Sequence, residues 1–271
     1  MSDNPSLISS AAIIHPTAKI AEGVEIGPWV FIGENVEIGA GSRIEAHAVI
    51  FKNTTMGKNN RIHSHAVVGG DSQDLKYHGE EAWLKMGDNN TVREFVTINR
   101  GSDAGLNTTL IGNDNCFFAC AHVAHDARIG NGVLFVNNAV VAGHVTVDDH
   151  AIIGAHSSVH QFMRIGAYSF LAQATQVQKD IPPFMMVTGI PGIPIGLNLT
   201  GLRRHGFSTG CIRGLKKAYQ VMYRDHLPLK ELEATLVDLA IETPEVQMII
   251  DLMKASARGI VRKQVRDDES I

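Results

Sequence analysis

No stretch of the 271 residues approaches the roughly 18 consecutive apolar positions of a membrane-spanning helix, so no transmembrane segment is expected. The opening MSDNPSLISS has no positive segment followed by an apolar one, which argues against a secretory leader. A basic excess is missing too. The chain has 24 Lys and Arg against 28 Asp and Glu, a formal charge of −4, and this speaks against nucleic acid as a partner. Cysteine is scarce: Cys116, Cys120 and Cys211 are an odd number and read as free thiols in a reducing cytoplasm. Neither H-E-x-x-H nor C-x-x-C occurs, which removes the most recognisable metal-ligand spacings. The 44% hydrophobic fraction is too high for a disordered chain.

What is abundant is glycine, with 26 residues, while proline stands at an ordinary 9. Glycine without proline points to many tight turns, and so to a repeat. The repeat has period six. An apolar residue recurs at every sixth position from Ile14 to Val68, again at Met86, Val92 and Ile98, and then from Ile111 to Val177. A glycine often follows directly, as in Ile26-Gly27, Ile38-Gly39, Ile129-Gly130 and Ile165-Gly166. Helical spacings of three and four do not persist, and one hairpin would not keep this beat. The pattern predicts a parallel β-helix of hexapeptides, with three short strands and three turns in each coil of 18 residues. One apolar side chain per strand points inward, and glycine turns the backbone where a side chain would crowd. About eight coils at about 4.8 Å each make a prism about 40 Å long.

Two interruptions break the beat. The step from Val68 to Met86 and the step from Ile98 to Ile111 are both too long, so segments 69–85 and 99–110 loop out. Insertions in a solenoid project from one face and commonly carry binding residues. The first holds Asp71, Gln73, Asp74, Lys76 and His78, too polar for a core. The beat ends at Lys179-Asp180-Ile181-Pro182-Pro183, and 184–196 is rich in turn residues. Helical patterns follow: Ser208 caps a helix with Ile212, Leu215, Ala218, Tyr219 and Met222 on one side, and two more helices are expected over 229–241 and 245–258. The expected organisation is a hexapeptide β-helix over 10–183 followed by a small α-helical unit over 197–266, with a charged end at 262–271 that frays.

Histidine is unevenly spread. His122, His125, His144, His150, His156 and His160 fall close together within the repeat. On an 18-residue grid Gly143 stacks on His125 and His160 on Ala142, so His122, His125, His144 and His160 share one edge. A metal centre would need three converging ligands, whereas the grid spreads these residues over several coils, so no metal is expected. Turn histidines on a solvated edge are the structural alternative. A general base is the reading the cluster favours, because imidazole removes a proton near neutral pH and Asp126, next to His125, is placed to orient its ring. No Ser or Cys stands beside His125 in a nucleophile motif, and Cys120 reads as a corner filler, which suggests direct transfer between two bound substrates. Where the β-helix gives way to helices, Asn198, Arg203, Arg204 and His205 gather, with Arg213, Lys216, Lys217 and Arg224 beyond them. This is either a solvated face or a patch for an acidic carrier or a nucleotide diphosphate.

The hexapeptide β-helix carries the insertion Ser72-Gln73-Asp74-Leu75-Lys76-Tyr77, the segment Ala121-His122-Val123-Ala124-His125-Asp126, and Gly143-His144. His160-Gln161-Phe162, Asp180-Ile181-Pro182-Pro183 and Gly201-Leu202-Arg203-Arg204 follow. Together these resemble the UDP-N-acetylglucosamine O-acyltransferases that open lipid A synthesis. The resemblance runs from His15-Pro16-Thr17 to the C-terminal helices. Hexapeptides alone are shared with serine acetyltransferases, sugar-nucleotide transferases and carbonic anhydrases; the Q-D-L-K insertion with A-H-x-A-H-D is the specific part.

The resemblance implies a left-handed parallel β-helix of hexapeptide repeats followed by a small α-helical C-terminal domain, in a homotrimer that binds substrate between adjacent prisms. It implies transfer of an (R)-3-hydroxyacyl group from acyl carrier protein to the 3-hydroxyl of UDP-N-acetylglucosamine, with no cofactor beyond the carrier's phosphopantetheine arm. It makes His125 the general base, Asp126 its partner and Gly143 the oxyanion donor. Gln73, Asp74 and Lys76 would hold the sugar nucleotide with His122 and His144, and His160, Gln161, Asn198 and Arg204 would contact the nucleotide or the donor. Gln173 stands at the family's acyl-chain ruler, where members taking long chains carry glycine, which implies a shorter groove and a preference near ~10–12 carbons. The companion N-acyltransferase carries an extra N-terminal domain for which a repeat beginning by Ile14 leaves no room. An acyltransferase forming an amide on the 3-amino sugar, and a non-catalytic carrier-binding scaffold, are the alternatives.

Overall fold

The computed structural model describes residues 7–103, 105–225 and 227–262; beyond Arg262, the end expected to fray lies outside them. Each sixth-position apolar residue falls in its own short strand, from Ile13–Ile14 to Gln176–Val177. Every third strand belongs to the same parallel sheet, so Ile14 pairs with Ile32, Ile20 with Ile38 and Ile26 with Ile44. These are the first, second and third faces of a left-handed β-helical prism. Inside it Ile32, Ile50, Val68, Ile98, Val123 and Val141 stack with no exposed surface. Each such side chain contributes about 1.5–3 kcal/mol by leaving water.

The corners need left-handed backbone. Among the described residues twenty non-glycines have positive φ, and six Asn, two Asp and five His make up most of them. These short polar side chains tolerate that region better than others do. His47, His65, His144, His150 and His156 are all corner residues of this kind, so part of the histidine excess reflects corner geometry. The glycine after the apolar residue answers a close approach: a Cβ on Gly27 would lie 2.8 Å from the Ala46 nitrogen of the next coil.

Strands Val67–Gly70 and Trp83–Met86 absorb both ends of the first insertion, and Thr97–Asn99 and Thr108–Ile111 those of the second. The irregular stretches are therefore Asp71–Ala82 and Arg100–Asn107. Each leaves the first face and returns on the second, so both stand on the corner that also carries His125.

The turn-rich stretch after Val177 contains a strand pair. Met185–Thr188 extends the third sheet beside Phe170–Leu171, and Ile193–Leu197 runs antiparallel to it. Met185 and Val187 are fully buried and continue the inner column above Leu171. Among the described residues four helices follow: α1 (Leu199–Arg204), α2 (Thr209–Tyr223), α3 (Leu229–Glu242) and α4 (Val246–Ala255). Ser208 caps α2 by accepting from the Cys211 N–H at 3.1 Å, and α2 buries Ile212, Leu215, Ala218 and Tyr219. After α4 the chain returns to the prism, where Val261 N–H donates to Asp180 O at 2.9 Å. No helix among the described residues is long and apolar enough to cross a membrane.

Candidate active site

In three successive coils the corner between the first and second faces reads Ala124-His125-Asp126, Ala142-Gly143-His144 and His160-Gln161-Phe162, held in register by the Val123–Val141–Val159 column. His125 Nδ1 lies 2.8 Å from Asp126 Oδ2. The Asp126 carboxylate also accepts from Ser102 N–H at 3.1 Å, Ser102 Oγ at 2.8 Å and Leu106 N–H at 2.8 Å. Burial pushes its pKa up, but the hydrogen bonds from His125, Ser102 and Leu106 outweigh that and hold it below the ordinary carboxylate value. An ionised carboxylate can only accept. Nδ1 therefore carries the proton, and the lone pair sits on Nε2.

Nε2 faces Gly143. A Cβ there would lie 2.6 Å from it, so the missing side chain gives the ring its seat. Gly105 of the second insertion is equally tight: its Cβ would meet Asp126 Cγ at 2.5 Å and His144 Cε1 at 2.6 Å. His144 stands edge-on to His125, centroids 5.2 Å apart, and stacks on Phe162 at 4.5 Å. Above Phe162 lies the Arg258 guanidinium at 5.4 Å. Burial, and then His125, hold the His122 pKa below the usual imidazole value, and His122 Nδ1 is 2.7 Å from Thr97 Oγ1. Burial first, with His125 adding to it, lowers His144 as well, although Asp126 and Asp74 act the other way. Two imidazoles held below their ordinary value thus flank His125.

The first insertion leaves and re-enters the prism at this corner, and Asp74 within it acts on His144 electrostatically. Its Oδ1 accepts from Lys76 N–H at 3.0 Å. Gln73 and Lys76 face solvent, and Leu75 at the loop tip is 97% exposed. His160 and Gln161 are exposed on the corner that carries His125, with His160 Nδ1 3.2 Å from Gln161 O. Asn198 and Arg204 stand elsewhere. Asn198 caps α1, accepting from Gly201 N–H and donating to Tyr168 O, both at 3.0 Å, so its amide is engaged within the chain beside the corner between the second and third faces. Arg204 ends α1 and is exposed, as are Arg203, Arg213, Lys216 and Lys217. Gln173 is exposed on the corner between the third and first faces, across the first face from His125. His150 and His156 lie on the other two corners, away from the pair.

Sequence reasoning missed Ser102, Leu106, Thr97 and Arg100. None has a periodic signal, and the polar character of the second insertion was the one available hint. It also judged the histidines too dispersed for a metal, yet His125, Asp126 and His144 each bring a ligand atom within 4.8 Å of the others. The donor set still suits proton transfer better. Asp126 already accepts four hydrogen bonds, which leaves two imidazoles where a resident zinc takes three or four protein ligands.

Residues 180–261 match the family model of UDP-N-acetylglucosamine O-acyltransferase, domain 2, and residues 8–102 match that of the GMPPB C-terminal domain. Two relatives named acyl-[acyl-carrier-protein]–UDP-N-acetylglucosamine O-acyltransferase span the chain. The one from Saccharophagus degradans is 48% identical, covering 95% of this chain and 100% of its own. The one from Thermodesulfovibrio yellowstonii is 45% identical, covering 94% and 99%. Among solved structures, LpxA from Acinetobacter baumannii has a TM-score of 0.92 at 42% identity, covering 94% of this chain and 100% of that one. The Francisella novicida UDP-N-acetylglucosamine acyltransferase has 0.93 at 39% identity, covering 95% of each. With the fold shared end to end at these identities, the chain belongs to the UDP-N-acetylglucosamine O-acyltransferase family.

Proposed function

We propose that this protein transfers an (R)-3-hydroxyacyl chain from acyl carrier protein to the 3-hydroxyl of UDP-N-acetylglucosamine, the first step of lipid A synthesis, in the cytoplasm. His125 Nε2 takes the proton from the sugar hydroxyl as its oxygen attacks the thioester carbonyl. The Gly143 N–H meets the oxyanion, and Asp126 stabilises the imidazolium. Collapse breaks the C–S bond, and the imidazolium returns its proton to the leaving thiolate of the phosphopantetheine arm. Gln73, Asp74, Lys76, His122 and His144 bind the sugar nucleotide, and His160, Gln161, Asn198 and Arg204 bind the nucleotide or the donor. Gln173 ends the acyl groove. The observation that carries the reading is the His125–Asp126 pair at 2.8 Å with Nε2 facing a residue that has no side chain.

The working form is a homotrimer with shared sites. The second face turns Lys19, Glu37, Lys85, Arg128 and Arg164 outward, whereas the first turns out Ile13, Phe31, Val49 and Val67. Ile13 is 64% exposed, and on the adjoining corner Trp29, His47, His65 and Phe95 form one continuous ring stack. An exposed apolar edge of this length supports contact with further copies. It also offers Gln173, which lies on that same corner, a route to a neighbour's site.

The test is His125→Ala. The purified variant should acylate UDP-N-acetylglucosamine about 10²–10⁴ times more slowly with its fold retained by circular dichroism. A parent-like rate refutes the base assignment, and a monomer mass at sedimentation equilibrium refutes the shared sites.

A further inference from the structure

We propose that Arg100 is a positioning residue that seats the first insertion, and with it Asp74 and Lys76, over the catalytic corner. The proposal rests on the reading of that insertion as the sugar-nucleotide site.

Arg100 is only 1% exposed, the bulkiest fully buried side chain among the described residues. A guanidinium taken out of water is costly unless paired and hydrogen-bonded. Here its partners all come from one loop. Its N–H donates to Gly70 O at 2.8 Å. Nη1 donates to Gly69 O, and Nη2 to Asp71 Oδ1 and, at 3.4 Å, to Tyr77 OH. The fork therefore grips the loop where it leaves the prism and again at Tyr77. Tyr77 in turn closes the turn that carries the two binding residues, through its N–H to Asp74 O at 2.9 Å, and its hydroxyl donates to Glu80 O at 3.2 Å. Asn99 adds a bond from Nδ2 to Asp71 O at 2.7 Å.

Arg100 also sits two residues from Ser102, whose N–H and hydroxyl hold Asp126. Between them Gly101 N–H donates to Trp83 O at 3.1 Å, tying the segment to the far end of the same loop. One short stretch of the second insertion thus fixes the acceptor loop at one end and the His125–Asp126 pair at the other. A planar fork suits a carbonyl, a carboxylate and a hydroxyl together; a lysine ammonium, a point charge, does not reproduce that spacing.

The experiment measures steady-state kinetics of Arg100→Lys in the parent and in an Asp74→Ala/Lys76→Ala background, varying UDP-N-acetylglucosamine and acyl carrier protein donor separately. In the parent, Arg100→Lys should raise KM for the sugar nucleotide about tenfold, with kcat and the donor KM within about threefold. In the double-variant background the same change should shift that KM by less than about threefold, because the groups through which Arg100 acts are gone. Asp71→Asn alters the far end of the same grip from a mostly solvent-exposed side chain, so it tests the idea even if Arg100→Lys folds poorly; it should move the same KM in the same direction by a smaller factor. A fall in kcat with both KM values unchanged, or a full tenfold effect persisting in the double-variant background, overturns the proposal. An unchanged sugar-nucleotide KM in the Asp74→Ala/Lys76→Ala enzyme overturns the reading of the loop itself, and the proposal with it.

Discussion

Gly143→Ala isolates the seat of the His125 ring, the proposed base. The backbone at Gly143 is not in the left-handed region, so alanine suits it conformationally, and the N–H proposed for the oxyanion remains. What changes is one methyl group, 2.6 Å from His125 Nε2 and 2.7 Å from Cε1. Both fall roughly 0.9 Å short of the ~3.5 Å at which such contacts become favourable. The ring must move by about that amount. Its side chain is 12% exposed and therefore has solvent on one side to swing into. The stability cost should then sit near the lower end of the ~1–3 kcal/mol of overpacking. Catalysis has no such escape, since a displacement of about 1 Å costs on the order of 10²-fold. The expected result is a kcat about a hundredfold below the parent, with the fold retained by circular dichroism and melting. Gly196→Ala is the control, because a Cβ there meets nothing within 4 Å and its φ is not positive; it should be silent. A Gly143→Ala enzyme with kcat within threefold of the parent would show that the ring is not held by this contact.

The paired histidines predict a pH effect on stability. Both His122 and His144 have folded pKa values depressed by burial, so the stability they contribute is complete above the unfolded imidazole value near ~6.5 and is lost as pH falls through their folded values. Melting temperature should therefore drop on acidification below about pH 6.5, and drop less in a His122→Gln/His144→Gln variant; parallel curves would contradict the assignment. For the proposed acyl groove, Gln173 stands two and two-thirds coils beyond His125 and one face over, roughly 13 Å along the axis. Gln173→Gly should move the donor preference from ~10–12 toward ~14 carbons, at up to about 0.8 kcal/mol per methylene admitted. Equal parent rates at about 10 and 14 carbons, or an unchanged profile in the variant, would exclude Gln173 as the end of the groove.

The inner columns were legible because hexapeptide periodicity is a local property: Ile14, Ile32 and Ile50 announce their stacking through sequence spacing alone. The same grid placed Gly143 beside His125, and the structure puts a would-be Cβ 2.6 Å from that ring. The histidine count misled in part, because His150 and His156 serve as left-handed corner residues, and a corner and a proposed catalytic edge recruit the same side chain. Ser102 and Arg100 were invisible for a different reason. Their partners lie 24 and 29 residues away across insertions whose return path no period encodes. The strand pair at Met185–Thr188 and Ile193–Leu197 was hidden by its glycines and prolines, although Met185 and Val187 keep an inward alternation.

Changes of length within the repeat and at a corner have unequal consequences. Removing six residues between His125 and Gly143 slides every later strand round by one face. Val147 then occupies the inner slot of Val141, an equally good filling, and the core hardly registers the change. On the outside Asp149 arrives over His125 in place of Gly143, and a carboxylate stands where the ring needs empty space. Extra chain such as Asp71–Ala82, by contrast, departs and re-enters at one corner and leaves the phase of the helix untouched. A molecule of this kind can lose its chemistry through a phase slip and still fold.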